Sequence, residues 1–114
     1  MQVIKIDPGC KPELTEMPNT LQAFQQAVGG HIEAHTITRN DQPALVVILN
    51  EDGRLMGLPA NGRLYMGYLW GQTLMGSVVI VRADESGEDF AGATDGDLQL
   101  VTALWNPVKG GVRR

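Results

Sequence analysis

The sequence is poor in the residues that make cross-links, metal cages and stacking surfaces. Cys10 is its one cysteine. An intramolecular disulfide is therefore impossible, no cysteine-based zinc site can be assembled, and a reducing compartment is the expected setting. Aromatic residues make up 5% of the chain, so aliphatic side chains must fill most of the core. No apolar run approaches the ~20 residues that span a bilayer, and no charged-then-apolar leader starts at Met1. A cytoplasmic protein without membrane attachment is expected. Gly-x-Gly-x-x-Gly and Walker patterns are also missing, so no nucleotide cofactor is expected.

Positive charge is scarce as well. Nine Lys and Arg residues face 13 Asp and Glu, a formal net charge of −4. Phosphate backbones repel such a chain unless its basic residues cluster. Only Lys109, Arg113 and Arg114 approach a cluster, and they read as a flexible, solvated tail over residues 109–114. Nucleic acid is not the expected partner.

What is present is a globular composition. The chain of 114 residues is 43% apolar and 19% charged, which suits one domain, expected over residues 1–108. Gln2–Asp7 reads as a strand ended by Pro8-Gly9, and Lys11–Met17 as its return. Asn19 opens a helix with Gln22 as a capping-box partner. Leu21, Phe24 and Val28 are its apolar stripe and Gly29-Gly30 its end. His31–Thr38 and Ala44–Asn50 are strands about a polar Arg39–Pro43 loop. After the Asp52-Gly53 turn, Leu55–Leu58 is expected to pair with Ala44–Asn50. Pro59–Thr73 reads as a glycine-rich apolar loop, Leu74–Arg82 as a last core strand, and Ala83–Glu88 as an acidic turn. Thr94-Asp95-Gly96-Asp97 caps a second helix that ends near Trp105. The fold class is α+β: a mainly antiparallel or mixed sheet of five to six strands. Two short helices, about 20–28 and 95–105, are expected on one face of it.

Several phrases occur together and in order: Val28-Gly29-Gly30-His31-Ile32-Glu33-Ala34, Asn50-Glu51-Asp52-Gly53-Arg54-Leu55, Gly57-Leu58-Pro59-Ala60-Asn61-Gly62-Arg63 and Gly76-Ser77-Val78-Val79-Ile80-Val81. With the acidic turn and the Thr-capped helix they resemble the bacterial and phage family called domain of unknown function 3846, from Met1 to about Trp105. Members commonly carry Leu-Pro-Pro-Asn-Arg, whereas here Gly62 stands between Asn61 and Arg63. The resemblance implies a setting among phages and mobile elements and attaches no activity to any residue.

Two groups of residues lack an obvious structural role. In His31-Ile32-Glu33-Ala34-His35, side chains two apart share a strand face at ~7 Å. Glu33 with His31 or with His35 is therefore a candidate for hydrolase or transferase chemistry, metal-assisted if a third ligand comes from elsewhere. The alternative is a wet strand face, with Ile32 and Ala34 turned inward. In the second group, Asn61 and Arg63 with Tyr65, Tyr68 and Trp70 suit a pocket or partner surface, or a loop buried on a second copy. Glu33, Asn61, Arg63, Tyr65 and Trp70 are thus the candidate binding residues. Cys10, Ser77 and Ser86 lack the neighbours of a nucleophile, and Gly29-Gly30 follows a helix rather than opening one, which excludes a phosphate cradle. The expected function is a non-enzymatic module that binds a small molecule or host protein. The small hydrolase or transferase and a structural accessory subunit are the alternatives.

Overall fold

The computed structural model describes residues 1–108, and the tail expected over 109–114 lies outside the described residues. Among the described residues nine strands and two α-helices follow one another. They are β1 (Gln2–Ile6), β2 (Glu13–Glu16), α1 (Leu21–Val28), β3 (Ile32–Arg39), β4 (Gln42–Asn50) and β5 (Ala60–Leu64). After these come β6 (Thr73–Met75), β7 (Val78–Ala83), β8 (Phe90–Ala91), α2 (Asp95–Leu104) and β9 (Trp105–Pro107). The main sheet runs β2-β1-β7-β4-β3, with β8 paired to the end of β7, and every pairing in it is antiparallel. A second sheet, β6-β5-β9, is antiparallel too. The fold is α+β.

The two faces of β4 and β7 explain the layering. Leu45, Val47, Leu49, Val78 and Ile80 enter one core; Val46, Ile48, Val79 and Val81 enter another. Strands apolar on both faces need a cover on both, because alternate side chains point opposite ways. Phe24 and Val28 of α1 close the smaller core. Leu64, Leu74, Trp105 and Val101 of α2, with the second sheet, close the larger. The expectation of both helices on one face is therefore corrected: they cover opposite faces.

Six local expectations also change. Thr20, not Asn19, caps α1, its Oγ1 accepting from the Ala23 amide at 3.1 Å, while Asn19 reaches across to Phe90. The polar Arg39–Pro43 loop shrinks to Asn40-Asp41, because Arg39 already pairs with Gln42. Leu55–Leu58 is not a strand. Both edges of β4 are taken by β3 and β7, so the segment coils instead. Met56 donates to the Asp52 carbonyl at 2.8 Å and Leu58 to that of Gly53 at 3.0 Å. The Pro59–Thr73 loop is partly regular, with β5 in its first half and a 3₁₀ turn at Gly67–Leu69. Leu74–Arg82 divides into β6 and β7 at Gly76, whose φ of 78° bends the chain out of one sheet and into the other. Trp105 belongs to β9 rather than to the helix. Among the described residues no helix is long and apolar enough to cross a membrane.

Candidate functional site

β3 is the outer strand of the main sheet, and Ile37 decides how it faces. Ile37 is 4% exposed in the larger core, and period-two geometry carries Glu33 and His35 to the same face. Ala34, Thr36 and Thr38 are the exposed residues of the strand, so the alternative reading with Ile32 and Ala34 inward holds only for Ile32, which is half-buried against the smaller core. His31 precedes the strand and is exposed.

Glu33 and His35 meet: Oε2 lies 2.5 Å from Nε2. The other ring nitrogen, Nδ1, lies 2.5 Å from the Tyr68 hydroxyl, delivered by the 3₁₀ turn. When the imidazole is neutral, a carboxylate partner that only accepts places the proton on Nε2 and leaves Nδ1 with a lone pair. The Tyr68 O–H must then donate to it. The order is therefore Tyr68 O–H to His35 Nδ1, and His35 Nε2–H to Glu33.

Beside this relay lies an open cleft of about 180 Å³. Leu49, Leu69 and Leu74 form its apolar floor, where the larger core reaches the surface. Glu33 and His35 line one wall, Glu51–Leu55 a second, and Gln72–Met75 a third. Tyr68 does not line the cleft and touches its wall through His35; it is 62% exposed, and Leu55 is 90% exposed. Arg54 is tethered across the cleft, Nη2 donating to the Thr73 carbonyl at 2.9 Å.

The other expected residues lie elsewhere. Asn61 is buried and works as a staple between sheets, Nδ2 donating to the carbonyls of Ile6 at 2.7 Å and Gly76 at 2.8 Å. Arg63 is exposed on the second sheet, with Nε on Thr73 Oγ1 at 3.1 Å. Tyr65 and Trp70 pack edge to face, with ring centroids 5.3 Å apart, and Trp70 is 64% exposed. Of the five residues, Glu33 alone lines the cleft; Asn61 and Arg63 do not converge on it. The wall at Asp52–Leu55 and the pairing of Tyr68 with His35 are absent from the sequence reading. Its two separate groups each held one half of the relay.

A second charged cluster lies away from the cleft. Asp97, 1% exposed, completes a capping box with Thr94 and accepts from Arg39 Nη1 at 2.9 Å and Arg82 Nε at 2.6 Å. Burial opposes ionisation of Asp97, but Arg82, then Arg39, and the Thr94 amide outweigh it and hold the carboxyl down at about 2. Asp97 in turn raises the Arg82 guanidinium above its ordinary value through their hydrogen bond. Asp97 bonds both guanidiniums, with Arg39 Nη2 left buried without a partner, and so joins α2 to β3 and β7.

The phrases that carry the family resemblance divide between frame and cleft. Gly30 packs on Asn50, which itself ties the end of α1 through the Val28 carbonyl at 3.1 Å. Asn61 and Gly76 form the inter-sheet staple, while Glu33 and Glu51–Leu55 line the cleft. A family model described as Domain of unknown function (DUF3846) matches residues 1–106. No curated protein and no solved structure matches the chain.

Proposed function

From a chain that belongs to the DUF3846 family, whose description names no activity, we propose a binding module whose site is the Glu33–His35 cleft. The observation that carries this reading is the cleft itself: an apolar floor, three polar walls and an exposed Leu55 at its mouth. Sites for drug-sized ligands run to roughly 300–1,000 Å³. A cleft of about 180 Å³ suits a smaller occupant, a compact metabolite or one side chain of a host protein. The setting proposed is the bacterial cytoplasm, among phage or mobile-element proteins. Exposed Leu55, Met56, Tyr68 and Trp70 also suit burial against a second copy.

A ligand-observed NMR screen with small polar fragments tests the reading. Hits are expected to shift the resonances of Glu33, His35 and Leu55, and to weaken at least ~10-fold in Leu55→Ser and His35→Ala. Hits that map elsewhere, or that ignore both substitutions, would sink it.

A hydrolase or transferase is the second reading, and the relay favours it. A hydroxyl, a base and an orienting carboxylate in hydrogen-bonded series are the parts of nucleophilic catalysis. Among the described residues no third metal-ligating side chain joins Glu33 and His35, so this version rests on the hydroxyl.

A further inference from the structure

We propose that the Tyr68 hydroxyl is an acyl acceptor, primed by His35 and Glu33 to take a short acyl group from a carboxylic ester bound in the cleft. Three observations meet at this hydroxyl. It lies 2.5 Å from His35 Nδ1, which in the neutral imidazole with Nε2–H turned to Glu33 is a base for its proton. The base is oriented by Glu33 through Nε2 at 2.5 Å, which fixes the tautomer that leaves Nδ1 free to accept. Tyr68 is 62% exposed and its hydroxyl bonds His35, a residue of the cleft wall, so the oxygen is open to an ester bound against that wall.

The lining selects the substrate class. Glu33, Glu51 and Asp52 bring three carboxylates, against which Arg54 is already turned to the Thr73 carbonyl. Phosphoryl donors carry negative oxygens that this wall repels. A neutral or cationic carboxylic ester meets no such barrier, and the apolar floor of Leu49, Leu69 and Leu74 accepts a short acyl chain.

The step balances without an outside reagent. Tyr68 Oη bonds to the carbonyl carbon while its proton passes to His35 Nδ1. The bond between that carbon and the alcohol oxygen breaks, and the departing alkoxide takes the proton from Nδ1. Tyr68 is left as the acyl ester, the alcohol leaves neutral, and His35 and Glu33 recover their starting protonation. His35 is the catalytic base here; Glu33 acts through it as a positioning residue.

The two tyrosines of the chain supply an internal comparison. Tyr65 is half-buried on Trp70, and among the described residues no histidine or carboxylate bonds its hydroxyl. The intact protein is treated with p-nitrophenyl acetate, and acetylated peptides are quantified by mass spectrometry. Tyr68 is expected to label at least ~10-fold faster than Tyr65. His35→Ala should slow Tyr68 labelling by ~100-fold, with added imidazole restoring part of the rate, since a positioned base contributes roughly 10²–10⁴. Glu33→Gln should slow it by at least ~10-fold with an unchanged melting temperature. Equal labelling of both tyrosines in the unsubstituted protein would overturn the proposal, and that readout needs no variant to fold. So would His35→Ala labelling at the original rate. Acylation rests on the relay alone: fragments that bind the cleft of a protein that fails to label would leave the binding reading intact.

Discussion

Asp97 is announced by the sequence only as part of a helix cap, four residues that begin at Thr94. Its other partners, Arg39 and Arg82, stand 58 and 15 residues away in the chain. No local pattern pairs residues at those separations; β3 and β7 bring them together. The carboxyl ordinarily titrates near 3.8 and is held here at about 2. A depressed folded value stabilises the protein above the unfolded value and loses that stability as pH falls through the folded one. Acid unfolding followed by circular dichroism should therefore steepen between about pH 4 and pH 2. Asp97→Asn should flatten that window and, by leaving two arginines short of their charge, cost about 3 kcal/mol at neutral pH. An unchanged acid limb in the variant would count against Asp97 as the group that titrates. The same lesson holds for Tyr68 and His35. Both were visible as polar residues of interest, yet their pairing spans 33 residues and depends on how the 3₁₀ turn lands beside β3.

At the scale of elements, the signals that were read well are those settled within a few residues. Period-two runs mark β1 and β3, continuous apolar runs mark β4 and β7, and capping residues mark both helices to within about a turn. The segments misread are those whose state depends on a partner strand. Leu55–Leu58 has strand-like composition but finds both edges of β4 taken, and β5 has loop-like composition yet gains β6 and β9 as neighbours. Gly62 shows what β5 requires. A Cβ there would sit 2.4 Å from Trp105 Cζ2 and 2.8 Å from the Asn106 carbonyl oxygen. Gly62 is thus the floor on which the Trp105 ring lies. Gly62→Ala should cost about 1–3 kcal/mol by overpacking, seen as a lower denaturant midpoint with a quenched or shifted tryptophan signal. A midpoint equal to that of the original chain would mean that β9 can move aside.

For the molecule as a whole, the larger core is covered by a second sheet and α2, while the smaller depends on α1, a helix of 8 residues. Helices that short do not persist alone, so α1 is held by what it buries. Phe24, 2% exposed, is its principal anchor and meets Phe90 edge to face at 5.3 Å. Phe24→Ala should cost about 3–5 kcal/mol, and hydrogen exchange should rise first in α1 rather than in β5. Uniform loss of protection across both faces would instead mean that the two cores unfold as one.

By itself the sequence determined the α+β class, the two capped helices, the doubly apolar central strands and the membership of Glu33 and His35 in one face. Those follow from side-chain periodicity and backbone capping, which act over one or two turns of chain. Only the tertiary structure decided that the helices cover opposite faces, that Asn61 is a buried staple between the sheets, and that Tyr68 meets His35 and Glu33. Those outcomes depend on which strand edges are free and on how the chain crosses at Gly76. Both are properties of packed elements, so no stretch of sequence contains them alone.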